Sequence, residues 1–160
     1  MTAITSTWTD FHAAEPAFAA FARRRFEKYA HHVLATVRGD GSPRLSGLGV
    51  AFVDGELWCG MMPNSRKGRD LLRDPRFALH ANPGGDDRMA DGDVRIAGRA
   101  VAVTDAAVIA RYAEATGTTL RFDLFRAELT EVVETQVDGV ELVLRRWSPG
   151  RPARTVRRGS

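Results

Sequence analysis

The sequence predicts a mainly β protein, in which six or seven antiparallel strands close, or nearly close, a barrel flanked by two or three helices. Three observations predict it. Short apolar and β-branched runs alternate with turns bearing Gly, Asp and Pro along most of the chain. Asp54-Gly55 and Asp138-Gly139 join such runs tightly enough to form antiparallel hairpins. Helical periodicity is confined to three stretches, and barrel closure removes the exposed edges that so many strands would otherwise present.

The elements follow in chain order. Residues 1–14 are expected to be loose. Residues 15–29 predict a helix lying as a lid on one side of the barrel. Pro16 suits its first position, and Phe18, Ala22, Phe26 and Tyr29 recur at helical spacing. His32–Arg38, Leu45–Val53 and Glu56–Met62 read as three strands in a meander, separated by Gly39–Pro43 and Asp54-Gly55. Asn64–Arg73 predicts a short helix capped by Asn64 or Ser65, and Asp74-Pro75 ends it because the residue before proline avoids helical dihedrals. Phe77–Ala81 resumes strand character. Residues 82–91 form a polar, glycine-rich loop expected to be mobile. Asp93–Val103 is a strand with Val94, Ile96, Val101 and Val103 inward. Asp105–Thr116 is a helix capped by Asp105, stopped by Gly117 and buried along Val108, Ile109 and Tyr112. Phe122–Val137 and Val140–Trp147 form a long hairpin. A loose tail rich in Arg and Pro, residues 148–160, follows, so that 15–147 reads as a single domain.

Composition narrows the function classes. No apolar run reaches the length of a membrane span, and the first ten residues lack a basic-then-apolar signal pattern. A single cysteine, Cys59, forms no internal disulfide, which fits a reducing cytoplasm. The net charge of +3 is a property of the tail: residues 145–160 carry six arginines and no acid, leaving the remainder at −3. No basic stripe interleaved with aromatics runs through the body, which argues against nucleic-acid binding. Only two lysines occur, Lys28 and Lys67, against 21 arginines, so each lysine stands out.

Several catalytic patterns are absent. Gly47-Leu48-Gly49 lacks the third glycine of a dinucleotide fingerprint, and no nucleophile elbow or phosphate loop occurs. His12, His31, His32 and His80 lack metal-ligand spacing, so no metal is expected. The informative segment is Ser65-Arg66-Lys67, which opens a helix directly after a strand. Free N–H groups and partial positive charge at a helix start attract phosphate, and two cations placed there against the dipole call for an anion. A solvated basic surface with Ser65 as a plain cap explains the same residues about as well. Arg44 alone reads as a solvent-facing strand arginine. Trp147 either stacks on an aromatic cofactor or closes the core. Met61 and Met62 read as core residues.

The ordered set Leu34-Ala35-Thr36-Val37, Asp40-Gly41-Ser42-Pro43-Arg44, Ser65-Arg66-Lys67 and Asp70-Leu71-Leu72-Arg73-Asp74-Pro75-Arg76 resembles the pyridoxamine 5′-phosphate oxidase-like family of FMN-binding split barrels, over residues 20–147. The resemblance implies an antiparallel split β-barrel and FMN as cofactor, with the deazaflavin coenzyme F420 as the alternative. Arg66 and Lys67 correspond to phosphate ligands, with Ser65 beside them. Arg44, Leu45, Ser46 and Gly47 match the strand that lines phosphate and isoalloxazine. Gly60 and Met61 fall at third-strand cofactor contacts, and Trp147 matches a tryptophan contributed across a dimer interface. A homodimer with cofactor sites between protomers and a small-molecule substrate is implied. Authentic pyridoxamine phosphate oxidases extend further and end in an arginine-bearing substrate motif that this chain lacks, so vitamin B6 oxidation is not the expected activity. No catalytic side chain is assigned, since the cofactor would carry the redox chemistry. A flavin or haem carrier or sensor on the same barrel is the non-enzymatic alternative.

Overall fold

The computed structural model describes residues 3–159. Among them α1 (Trp8–Ala14) and α2 (Pro16–Lys28) precede β1 (His32–Val37), β2 (Pro43–Leu48), β3 (Ala51–Val53) and β4 (Glu56–Met61). Then come α3 (Arg66–Arg73), β5 (Arg76–His80), β6 (Asp93–Ala102), α4 (Ala106–Thr116), β7 (Asp123–Asp138), β8 (Glu141–Ser148) and β9 (Arg151–Arg158). All strand pairings are antiparallel, in the order β2-β1-β5-β6-β7-β4-β3, with β8 and β9 branching from β7. This is a mainly β split barrel: β2 and β3 end the path without pairing to one another.

The split corrects one expectation. Leu45–Val53 is not one strand. Pairing stops after Leu48, and Ala51 starts a separate strand at the other end of the sheet. The predicted meander is therefore two hairpins at opposite ends of the pairing path. The 16-residue β7 makes this possible. One of its edges follows β6 from Phe125 to Thr135, while the other carries β4 at Asp123–Arg126 and β8 at Val132–Asp138. A bulge lies between β6 and β7 at Ala97 and Gly98, where β7 carries one extra residue, Thr130. Gly98 stands at that bulge because an added Cβ would lie 1.8 Å from the Glu128 carbonyl oxygen.

Both ends of the chain are more ordered than their composition suggests. The segment 1–14, expected to be loose, contains α1 with a reciprocal cap: Asp10 N donates to Thr7 Oγ1, and Thr7 N donates to Asp10 Oδ2. Trp8 and Phe11 are buried, and Phe11 meets Phe18 edge-on at 5.3 Å between ring centroids. Met1 and Thr2 lie outside the described residues. The 148–160 tail, also expected to be loose, forms β9 along β8, and Ala153 N donates to Glu15 Oε1 at 2.7 Å. Ser160 lies outside the described residues. Unmet backbone groups on β8 recruit this strand despite its arginines and Pro152.

The main core fills the barrel beneath α1 and α2, around Phe11, Phe18, Phe26, Leu34, Leu57, Leu79, Ile96 and Leu129. A smaller cluster of Val53, Trp58, Tyr112 and Leu124 lies under α4, with Val108 and Ile109 packed against it. Asp105 caps α4 and Gly117 ends it in a left-handed conformation, as the sequence predicts. Val94 and Ile96 point inward as expected, but Val101, an odd number of residues further along the strand, falls on the opposite, exposed face. Tyr29 is likewise exposed, because α2 ends before it. No helix of the described residues is long and apolar enough to cross a membrane.

Candidate functional site at the entrance to α3

The site begins with a register. Thr36 on β1 lies opposite Arg44 on β2, Leu34 opposite Ser46, and His32 opposite Leu48. Alternation along each strand turns these residues to the inner face. Pro43, Leu45 and Gly47 turn outward and are exposed.

The helix α3 is docked onto this inner face by a buried carboxylate. Asp70 Oδ2 accepts from Thr36 Oγ1 at 2.8 Å and from Arg44 Nε at 2.6 Å, and its Oδ1 accepts from Arg73 Nη2 at 2.9 Å. Arg73 also donates to the Val37 carbonyl at 3.0 Å. Burial alone would raise the Asp70 carboxyl, but hydrogen bonds from Arg44, Arg73 and Thr36 outweigh it and hold the group down at about 2. Asp70 is therefore an ionised, fully partnered anchor that ties α3 to β1 and β2.

Docking fixes the helix entrance. Asn64 adopts a left-handed conformation, φ 57°, and its N–H donates to Asp123 Oδ2 at 3.0 Å. Ser65 is the N-cap, with Oγ accepting from Gly68 N at 3.2 Å. Gly68 lets this turn press onto β4: an added Cβ would stand 3.3 Å from Met61 Sδ. The N–H groups of Arg66 and Lys67 head the helix. The Arg66 side chain is exposed and Lys67 half-buried, and neither has an ion-pair partner among the described residues.

Seven of the residues expected at the site fall into three groups. Ser65, Arg66 and Lys67 form the helix entrance. Arg44 and Ser46 face inward beside it, but Arg44 is not the solvent-facing arginine its isolated position suggests. Its guanidinium is held by Asp70, with the side chain 18% exposed. Leu45 and Gly47 lie on the opposite, outward face. Leu45 is 72% exposed, and a Cβ added to Gly47 would meet nothing within 4 Å. The strand register continues this open strip through Ala35 and Ala78.

Gly60 and Met61 lie on β4, and Trp147 on β8. A Cβ on Gly60 would meet Tyr112 Oη at 2.6 Å, so this residue faces α4. The Met61 side chain is buried in the core. Only the backbones of these two are left for a ligand. Trp147 is a correction: it is 2% exposed and packs 4.7 Å from the Phe11 ring in its own protomer's core. Once α1 is ordered, its rings cover the tryptophan that a loose N-terminus would have left free to stack.

The residue pattern marks Thr36 as a polar strand position near the Ser65 junction but gives Asp70 and Arg73 no role. An acid within a basic helix, Arg69-Asp70-Leu71-Leu72-Arg73, was the available signal, but its partners become visible only once β1 and β2 are in register. Elsewhere, burial pushes the Cys59 thiol up to about 12, which removes it as a nucleophile at neutral pH. Among the described residues, no group of three or more His, Cys, Asp or Glu side chains is placed to hold a metal ion.

Comparison with known proteins points to one family. The sequence model of the family described as pyridoxamine 5′-phosphate oxidase matches residues 14–144. Similar solved structures include PhzG from Burkholderia lata 383, in complex with tetrahydrophenazine-1-carboxylic acid, at 18% identity and TM-score 0.61, covering 94% of this chain and 92% of PhzG. A pyridoxamine 5′-phosphate oxidase-related, FMN-binding protein from Nostoc punctiforme PCC 73102 is similar at 14% identity and TM-score 0.63, covering 91% of this chain and 96% of that one. A heme-binding protein from Mycobacterium smegmatis has 17% identity and TM-score 0.58, covering 91% and 89% of the respective chains. No curated protein matches the chain.

Proposed function

The chain belongs to the pyridoxamine 5′-phosphate oxidase family, and from that premise we propose that it is a flavin-dependent oxidoreductase holding FMN by its phosphate at the entrance to α3. The observation that carries this reading is the pair of cations, Arg66 and Lys67, left without acidic partners at a helix start that the buried Asp70 holds in place. Two unneutralised cations beside free helix N–H groups are unfavourable on their own and favourable around a dianion. The donor set fits a phosphate: a guanidinium fork, an ammonium point charge and two backbone N–H groups.

When bound, the flavin supplies hydride transfer to or from a small substrate. The protein residues do the rest. Ser65 keeps the first turn capped, so the N–H groups of Arg66 and Lys67 stay aimed outward. Arg44 and Arg73 act through Asp70 as positioning residues. The outward strip of Leu45, Gly47, Ala35 and Ala78 is an apolar surface suited to one face of a planar ring. The same uncovered strip supports pairing with a second copy of the chain. In that arrangement the partner would shield the ring from water without using Trp147.

Substituting Arg66→Ala together with Lys67→Ala tests the reading. The circular dichroism spectrum should be unchanged, and FMN affinity, followed by quenching of flavin fluorescence, should fall about 100-fold or more, the loss of two charge-assisted contacts. Unchanged affinity would remove these residues from the site. Parallel titration with F420 distinguishes the two cofactors, and steady turnover with a reduced nicotinamide donor distinguishes an enzyme from a carrier.

A further inference from the structure

A second cationic corner lies at the far end of β1 from Thr36 and belongs to none of the machinery above. Arg25, on the barrel side of α2, has a side chain only 6% exposed. Its guanidinium is short of acceptors. Nη2 reaches the Asn82 carbonyl at 3.4 Å, Nη1 stands 3.6 Å from Asp91 Oδ2, and Nε has no partner among the described residues. Asp91 is itself shared, since its carboxylate is the hydrogen-bonded partner of Lys28. A buried cation normally requires close, well-aligned acceptors, and this one has a single distant half-share of a carboxylate.

Arg25 lines an open cleft of about 330 Å³ between α2 and the segment before β6. Arg24 and Lys28 stand beside it, Phe21 forms an apolar wall, and Gln136 offers a polar edge from β7. Arg24 is exposed and has no ion-pair partner among the described residues. A neighbouring cleft of about 400 Å³ shares Phe21, Arg24 and Gln136 with it and is also lined by Arg145, itself already paired with Glu134. Three cations thus face one acid across a cavity with room for a small molecule.

We propose that this corner is a binding site for a small organic acid, its anionic head taken by Arg24, Arg25 and Lys28 and its apolar body laid against Phe21. Asp91 occupies the position of the head while the site is free, as a carboxylate supplied by the chain itself. An incoming anion displaces it, so occupancy of the site and the hold on the 82–92 segment are coupled through Arg25 and Lys28. The site is independent of the flavin reading.

The test uses the full chain carrying Arg66→Ala and Lys67→Ala, so that the entrance to α3 does not compete for anions. Benzoate and inorganic phosphate are titrated separately while the resonances of Gln136 and of residues 82–92 are followed. Saturable shifts at this corner are expected with benzoate. Arg24→Ala should weaken binding about tenfold, the loss of one charge-assisted hydrogen bond. Asp91→Asn should tighten it severalfold by removing the internal competitor. Arg24 is exposed, so its substitution spares the fold. Saturation by phosphate alone would overturn the apolar half of the proposal. No saturation with either probe, or affinity indifferent to both substitutions, would overturn the whole. No flavin enters the readout, so this result is separate from that of the flavin titration.

Discussion

The two ends of β1 handle a buried charge in opposite ways. Near Thr36, the Asp70 carboxylate takes three donors within 2.6–2.9 Å from β1, β2 and its own helix. Near His32, the Arg25 guanidinium has acceptors only at 3.4 Å and beyond. Each corner also carries one of the chain's two lysines, Lys67 at the first and Lys28 at the second. The first corner is complete internally, and its spare cations point outward. The second is incomplete internally, and its need points into a cleft. A satisfied buried charge builds a platform, whereas an undersupplied one marks where something else belongs.

The sharpest way to break this contrast is to remove the platform. Asp70→Ala strands Arg44 and Arg73, one of them largely buried, and should cost about 3–5 kcal/mol in denaturant unfolding. It should also weaken FMN binding, since Arg66 and Lys67 would remain but lose their fixed helix. The comparison substitution is Arg25→Gln, which removes an already poorly paired charge and should cost clearly less. If Arg25→Gln proves the more damaging of the two, the assignment of satisfied and undersupplied corners is inverted.

Acid should produce a smaller effect at the same platform. Asp70 titrates near 2 in the folded chain against 3.8 when unfolded. Its contribution is therefore fully present above pH 3.8 and is lost as pH falls through the folded value. The shift corresponds to about 2 kcal/mol of stability. Unfolding free energy measured between pH 5 and pH 2 should show this loss in the parent chain. The same stretch of the curve should be flatter in Asp70→Asn, which retains the shape and cannot ionise. Parallel curves for the two proteins would deny Asp70 its ionised role.

These two corners also show how far the residue pattern reached. The strands around Val94 and Ile96, the cap at Asp105 and the strand-to-helix step at Ser65 were legible because each depends on local periodicity or a single side-chain hydrogen bond. The Ser65-Arg66-Lys67 cluster was legible for the same reason. What escaped was set by register and docking. Arg44 looks solvent-facing until β2 aligns it with Thr36 and α3 brings Asp70 across. Trp147 looks available until α1 places Phe11 on it. The split between β2 and β3 follows from β7 being long enough to hold β4 and β8 on one edge, which no window around residues 45–53 reveals. Arg25 carries no role in the residue pattern, although its spacing from Phe18 and Ala22 places it on the buried stripe of α2.

The smallest expected effect lies at the undersupplied corner. His32 is buried against Phe26, with ring centroids 5.2 Å apart, and its Nδ1 accepts from Asn82 N at 2.9 Å where the 82–92 segment begins. Burial pushes the His32 imidazole below 6.5, against the opposing pull of the Phe26 and Tyr29 carbonyls. Folding therefore favours the neutral ring. Stability is intact above pH 6.5 and declines as pH falls below it toward the depressed folded value. Protonation also turns Nδ1 from acceptor to donor, so the Asn82 N–H loses its partner. Amide exchange at Asn82, corrected for intrinsic rates, should show severalfold weaker protection at pH 5.5 than at pH 7.5, with little change at Thr36. His32→Asn should remove that pH dependence. Equal protection of Asn82 at both pH values would show that the start of the segment is held by Asn82 Nδ2 on the His31 carbonyl and by Lys28 on Asp91 instead, placing its control at the cationic cleft.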